Sequence, residues 1–328
     1  MSNEFRPGEY VEEAERGPRE AGPPFDDEDA DIILRSCDGV DFRVHKLFLI
    51  KAFHTFDDML RGTDEAGCLD AASDQEFKDG LAVVSMTESR RILDRLLRLL
   101  YVVSKPDLDS LADLRAVCIA LDKYCVRSFP ALVADALSRA TQEHPEIVFA
   151  IACRCCLADI AHRAAKVTLR QPRQLIPVPY EDIEFVRVGH YHALVLYQAE
   201  CLAAARTATA TILSVIGKNS IPGASNVGSA PPRSCRCRRV QRSMRQSAVM
   251  IPMWVIDYFG EVSNGLKDEI AGSVATKPRL HISTLESASV CDYCTLTKQK
   301  FVSFTEALSR HIDYEVSKIK MRLQDLDK

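Results

Sequence analysis

The sequence predicts an α+β fold, in which a small sheet capped by helices is followed by a mostly α-helical C-terminal region. Between residues 30 and 60, a period-two alternation of polar and apolar residues gives way to apolar residues spaced three and four apart. These two patterns are typical of strands and of helices, respectively. Beyond residue 90 the helical spacing dominates. The length of 328 residues favours about two domains.

The first predicted element is a β-hairpin that runs directly into two short helices. An apolar run at Ile32–Leu34 is followed by the turn residues Ser36–Gly39 and by an alternating stretch, Asp41–Val44. Residues 47–60 then carry large apolar side chains at helical spacing. A strand, a turn, a second strand and two helices are therefore predicted in close succession.

Two polar segments flank this stretch. Residues 1–29 are rich in acidic residues, glycine and proline. They bury too little apolar area to offset the entropy of ordering, so they are expected to form a disordered acidic tail. Residues 62–80 are also acidic and lack periodicity, so they are expected to form a polar loop.

The remaining predicted elements are one strand and a series of helices. A third strand is predicted over residues 81–84, and Thr87 or Ser89 is expected to cap a helix that ends at Tyr101. Apolar spacing predicts further helices over residues 108–125, 129–137, 147–151, 157–164, 190–215, 254–266 and 301–326. Residues 171–179 are interrupted by proline and are expected to form a linker.

The stretch from residue 30 onwards resembles the BTB/POZ domain, and it is most similar to the BTB proteins common in mushroom-forming fungi. The residues that carry the resemblance are Asp31, Asp38, Gly39, Phe42, Val44, His45, Lys46 and Phe56. Ala52 stands where the family usually has a small polar residue. The resemblance implies a BTB/POZ domain at 30–127 and a helical extension at 128–169. Helical spacing predicts a mostly helical C-terminal region at 170–328, and its Gly, Ser, Pro and Arg content predicts an arginine- and cysteine-containing loop at 217–247.

The resemblance also implies a function, that of a non-enzymatic protein–protein interaction module whose BTB domain forms a homo-oligomer or binds a partner protein. In many dimeric BTB domains, an acidic residue at the start of the first strand and a basic residue after the histidine line a pocket at the dimer interface. The resemblance therefore places Asp31, His45 and Lys46 at such a pocket. The alternative is an ordinary, partly exposed ion pair beside a packed histidine, which contributes little stability.

A substrate adaptor for a cullin-type ubiquitin ligase is an alternative function. Many BTB domains bind a cullin scaffold through a hydrophobic-x-Glu element in the loop before their last strand. The sequence holds no convincing copy of this element between Arg61 and Gly80, and that lowers the support for a cullin partner.

Four cysteines form the sharpest candidate for a metal site. Cys235 and Cys237 are spaced C-x-C, and Cys291 and Cys294 are spaced C-x2-C. Four thiolates suit a tetrahedral zinc ion. The two pairs lie more than fifty residues apart, and C-x-C is the less usual half-site. The sequence therefore favours reduced thiols without a cofactor, and zinc is the alternative.

Six arginines surround the first cysteine pair and define the basic loop, which comprises Arg233, Arg236, Arg238, Arg239, Arg242 and Arg245. Such a loop would contact phosphates if the protein were a nuclear regulator that binds nucleic acid. A solvated loop is favoured, because no aromatic residue is interleaved to stack on bases. The net charge of −4 also argues against nucleic-acid binding over the whole surface.

The sequence predicts no enzyme and no membrane partner. Cys153, Cys155 and Cys156 lie near His162, but small apolar residues surround them and no orienting acid is evident. The chain has no P-loop, no GxGxxG and no HExxH. No apolar run reaches 18 residues, so an intracellular location, cytoplasmic or nuclear, is expected, with cysteines that are reduced.

Overall fold

A computed structural model of the protein describes residues 18–61, 76–101, 104–171, 186–228, 235, 237–244, 248–289, 291, 294 and 297–323. Over these residues the fold is mixed α+β, which confirms the predicted class at that level. The chain divides into two units, Met1–Arg139 and Ala140–Lys328. Among the described helices, none combines the length and the apolar character that crossing a bilayer requires.

The first unit is built on a five-stranded sheet. Its strands are β1 (Arg19–Glu20), β2 (Ile32–Arg35), β3 (Val40–Val44), β4 (Phe77–Lys78) and β5 (Leu81–Ser85), in the order β1-β3-β2-β5-β4. β2 and β3 pair antiparallel, with Ile32 opposite Val44, which confirms the predicted hairpin. β5 confirms the predicted third strand and runs parallel to β2. Ile32, Ile33 and Leu34 are all fully buried, so both faces of β2 are covered, because successive side chains of a strand point to opposite faces.

Five described helices belong to this unit, and the last of them extends one residue beyond its end. They are α1 (Lys46–Ala52), α2 (His54–Arg61), α3 (Arg90–Arg98), α4 (Leu111–Lys123) and α5 (Ala131–Ala140). α3 ends at Arg98 and not at Tyr101, as the apolar spacing had predicted. The ring of Tyr101, beyond the end of α3, lies 5.4 Å from that of Phe25 and 4.7 Å from that of Phe48.

Aspartates at the two ends of the hairpin cap two of these helices. Asp31 Oδ1 accepts a hydrogen bond of 2.6 Å from the backbone N–H of Lys46, which opens α1. Asp38 Oδ1 accepts one of 2.7 Å from the backbone N–H of Arg90, which opens α3. Ser89 precedes α3 without making a side-chain cap, so the cap expected from the local sequence is supplied instead by a residue distant in the chain.

Residues 18–29 differ from the disordered tail that their composition predicted. β1 pairs parallel with β3, and the side chain of Phe25 is only 1% exposed. One buried aromatic residue within an acidic, proline-rich stretch produces no periodic pattern, so this packing could not be predicted from the composition. Residues 76–80 similarly contain β4, which pairs with β5. The remaining parts of the predicted tail and loop, residues 1–17 and 62–75, lie outside the described residues.

The second unit is largely helical. Its described helices are α6 (Pro145–Arg154), α7 (Ala158–Thr168), α8 (Val188–Val215), α9 (Met253–Gly265), α10 (Pro278–Ser289) and α11 (Lys298–Ser317), with a 3-10 turn at Gly272–Thr276. α6, α7 and α8 confirm the helices predicted there. α11 ends at Ser317, earlier than predicted, and the predicted linker falls mostly in residues 172–185, outside the described residues.

A three-stranded antiparallel sheet corrects the expectation of a loop over residues 217–247. Its strands are β6 (Ser225–Asn226), β7 (Arg239–Ser243) and β8 (Ala248–Pro252), in the order β6-β8-β7. In β8, Val249 and Ile251 are fully buried. β7 lies at the edge and carries the sequence RVQRS, so its polar composition concealed the strand.

Candidate metal centre

The four cysteines that the sequence singled out converge in the second unit. The Sγ atoms of Cys235, Cys237, Cys291 and Cys294 all lie within 4.8 Å of one another, and those of Cys237 and Cys294 are 3.6 Å apart. Sulfur atoms held about 2.3 Å from a tetrahedral zinc ion would be about 3.8 Å apart. The group can therefore bind a metal such as zinc.

The two cysteine pairs come from different elements. Cys235 and Cys237 directly precede β7, and both are half-buried. Cys291 and Cys294 lie between α10 and α11, and both are buried. The second pair is thus anchored in the core, and the sheet brings the first pair to it. Among the described residues this is the only group of three or more potential ligands that could hold a metal.

An unpaired polar atom beside the cysteines tests whether the site suits a metal. Burial raises the pKa of the Cys294 thiol, and the neighbouring indole N–H of Trp254 acts in the opposite direction. That Trp254 nitrogen is buried and makes no hydrogen bond of standard geometry within the described residues. A neutral thiol is a weak acceptor, whereas a thiolate is a strong one. The form of Cys294 that binds a metal is therefore the form that would satisfy Trp254.

Arg239 also lies at this centre, a position that the surrounding sequence did not predict. Its Nη2 donates to Cys235 Sγ at 3.4 Å. Arg238 and Arg242 of the basic loop are exposed, and the other three arginines of that loop lie outside the described residues. The only sign of this contact in the sequence is that Arg239 lies four positions after Cys235.

Gly223 closes the space around the centre. Its φ is +67°, and a Cβ at this position would lie 2.8 Å from Pro252 Cγ and 3.7 Å from Cys294 Sγ. The left-handed conformation and the close approach both exclude other residues without strain. The backbone turn before β6 therefore packs directly against Pro252 and Cys294.

The residues assigned to a dimer pocket are neighbours in the first unit. Asp31 and Lys46 meet through the backbone amide of Lys46, as described above, and not through its ammonium group. His45 Nδ1 lies 3.1 Å from the hydroxyl of Tyr101, and its Nε2 lies 3.4 Å from Asp29 Oδ1. The contacts observed within one chain are therefore a helix cap and a packed, hydrogen-bonded histidine.

The cysteines near His162 have a different environment. Burial raises the pKa of the Cys153 thiol to about 12, whereas a nucleophilic cysteine requires a lowered pKa. His162 Nδ1 lies 2.7 Å from the carbonyl oxygen of Ala158, and its Nε2 lies 3.2 Å from that of Met321. These contacts hold the imidazole between two backbone carbonyls.

The fold and this site together define an α+β protein with a four-cysteine group that can bind a metal. Compared with known proteins, the chain matches no family model and no curated protein.

Proposed function

We propose that the chain is a non-enzymatic protein-interaction module of the BTB/POZ type, and that its first unit self-associates. The order of elements supports this proposal, because a hairpin, two helices, a parallel strand and a further helix follow one another as the resemblance implies. The observation that carries the proposal is an exposed apolar surface on α1 and α2. These two helices pack against each other.

This surface comprises Leu47, Phe48 and Met59. Their side chains are 61%, 42% and 41% exposed, respectively. Exposed large apolar side chains on two helices that pack against each other favour contact with another protein surface, because burying them removes apolar area from water. A second copy of the chain would present the same surface, and a symmetric dimer would bury both at once.

The test is the mass of the full chain in solution by size-exclusion chromatography with light scattering. We expect a dimer at micromolar concentration, and we expect Leu47→Glu to weaken it at least tenfold, since each monomer would then bury a carboxylate. Phe77→Glu is the matched control, because Phe77 is 57% exposed but lies on β4. A wild-type monomer, or equal weakening by both changes, would contradict the proposal.

We further propose that the four cysteines hold one zinc ion with a structural role. Four thiolates complete the tetrahedral coordination of zinc and leave no position for a substrate or water. The ion would then link the segment before β7 to the segment between α10 and α11, and it would stabilise the second unit. A closed site of this kind agrees with a non-enzymatic function.

Metal analysis of the purified chain tests this second proposal. We expect about one zinc per chain, lost in Cys237→Ser and in Cys294→Ser. Cys37→Ser is the control, because Cys37 is an exposed cysteine in the first unit. Wild-type chain that contains no zinc, even after refolding with zinc, would refute the site.

Arg239 does not support the nuclear-regulator alternative, because it donates within the protein to Cys235, Ser225 and the Met250 carbonyl. Arg238 and Arg242 are exposed, and the other three arginines of the basic loop lie outside the described residues. The cullin-adaptor alternative rests on residues that fall largely in 62–75, outside the described part of the chain.

A further inference from the structure

We infer that Arg239 and Trp254 are outer-sphere hydrogen-bond donors that determine how tightly the four-cysteine group holds its metal. Each donor serves one cysteine pair: Arg239 contacts Cys235, and Trp254 lies beside Cys294. The inference rests on the proposed zinc site, and it assigns to two residues outside the ligand set the role of positioning residues.

Arg239 would compensate the negative charge of the proposed metal–thiolate group. Four thiolates and one divalent zinc ion carry a net charge of −2, and two of the cysteines are buried. A buried charge is costly unless an opposite charge or hydrogen bonds compensate it. A guanidinium remains protonated at all accessible pH values and donates in a fixed, planar geometry. Arg239 therefore offsets half of the excess negative charge at a sulfur atom that it already contacts.

The surrounding sheet holds Arg239 in place. Its Nη1 lies 2.9 Å from Ser225 Oγ on β6 and 3.4 Å from the Met250 carbonyl oxygen on β8. Arg239 itself begins β7, so its side chain links this strand to β6, to β8 and to Cys235. Because these bonds form within the protein, the guanidinium is oriented before a metal binds, and little side-chain entropy is lost on binding.

Trp254 provides the matching contact on the other side. It lies at the start of α9, immediately after β8, and its ring lies 5.8 Å from that of Phe301 on α11. Its buried N–H has no acceptor of standard geometry in the described part of the protein. The sulfur of Cys294 is the neighbouring acceptor for this N–H, so Trp254 would donate to the second cysteine pair as Arg239 does to the first.

The experiment measures the zinc dissociation constant of the full chain by competition with a chelator of known affinity. We expect Arg239→Gln to raise the Kd by about 10- to 100-fold, the range typical of outer-sphere changes. Arg239→Lys keeps the positive charge but loses the planar guanidinium with its several N–H donors. Its Kd should therefore lie between those of wild type and Arg239→Gln. Arg242→Gln is the matched control, because Arg242 is an exposed arginine on the same strand, and its Kd should equal that of wild type.

A spectroscopic readout separates a direct contact from general destabilisation. In the chain loaded with Co²⁺, the energy of the thiolate-to-metal charge-transfer band depends on hydrogen bonds to sulfur. We expect this band to shift in Arg239→Gln and in Trp254→Phe and to remain unchanged in Arg242→Gln.

The outcomes distinguish the roles of Arg239 and Trp254 from the proposed zinc site on which those roles depend. Wild-type chain without zinc would refute the metal site itself. Zinc bound by wild type, with Kd values of Arg239→Gln and Arg239→Lys that both equal that of Arg242→Gln, would overturn the role of Arg239 and leave the site intact. An unshifted Co²⁺ band in Trp254→Phe would overturn the role of Trp254.

Discussion

Asp41 has a fully buried carboxylate on β3. Its Oδ1 accepts a hydrogen bond of 2.6 Å from Arg35, and its Oδ2 accepts one of 2.8 Å from Lys78. Burial opposes ionisation of this carboxyl, but the hydrogen bonds from the two cations outweigh it, and the pKa of Asp41 is lowered. The hairpin strand is thereby tied through one side chain to β2 and to β4.

This ion cluster predicts acid sensitivity of the first unit. The folded pKa of Asp41 lies below 3.8, the ordinary value, so its stabilisation is fully present above that pH and is lost as the pH falls through the folded pKa. We expect Asp41→Asn to destabilise the unit at neutral pH by on the order of 3 kcal/mol, because the two cations lose their partner, and to make its stability less dependent on pH in acid.

Urea denaturation of wild type and of Asp41→Asn at several pH values, followed by circular dichroism, measures the pH dependence of their stability. The fluorescence of Trp254 reports the second unit separately, since the protein has a single tryptophan. Equal pH dependence of wild type and Asp41→Asn would show that Asp41 does not titrate in the way inferred.

At the level of elements, most helices were predictable because their apolar residues repeat at a fixed period. The hairpin was predictable because the continuous apolar run Ile32–Leu34 precedes turn residues and an alternating stretch, and the structure buries all three residues of that run. β7 escaped prediction because polar residues dominate its sequence RVQRS, although it pairs with β8 only a few residues further along the chain. The caps of α1 and α3 escaped for a related reason: Asp38 caps a helix that begins 52 positions later.

The sequence identified the four cysteines of the candidate site but did not predict that they converge. It favoured reduced thiols without a metal, because Cys235 and Cys237 lie more than fifty residues from Cys291 and Cys294 and the sequence contains no distance between the two pairs. Arg239 was assigned to a solvated basic loop because its neighbours are arginines. Its contacts depend on the register of β6, β7 and β8, and no pattern in the sequence encodes that register.

The contact between the 3-10 turn and α11 predicts a pair of opposite glycine effects. A Cβ on Gly272 would lie 2.1 Å from the carbonyl oxygen of Ser309, so we expect Gly272→Ala to destabilise the second unit by about 3 kcal/mol or more. A Cβ on Gly260 of α9 would meet no other atom within 4 Å. Gly260→Ala should therefore stabilise the unit by about 0.5–1 kcal/mol through helix propensity.

Chemical denaturation followed by Trp254 fluorescence measures both glycine variants. The matched pair keeps the substitution the same and changes only the space available to the new methyl group. A Gly272→Ala variant as stable as wild type would mean that the turn and α11 are not in close contact in solution.

The division of the whole molecule into two units predicts that metal removal acts on one of them. We expect a strong chelator to lower the unfolding midpoint of the second unit, seen through Trp254 fluorescence, by on the order of 10 °C, because a structural ion stabilises only the folded state. The ordered sheet of the first unit contains none of the four cysteines, so its unfolding should keep its midpoint. An unchanged fluorescence transition after verified zinc loss would rule out a structural role.

The two halves of the cysteine group are made at different times during synthesis. Cys237 and Cys294 are 57 positions apart, and a ribosome adds about 5–20 residues per second. For several seconds the nascent chain therefore carries one cysteine pair without the other. A metal bound by all four cysteines could be enclosed only after Cys294, which follows α10, has been translated. Metal occupancy would thus mark chains whose synthesis has passed α10, and a truncated product that ends earlier would carry Cys235 and Cys237 without their partners.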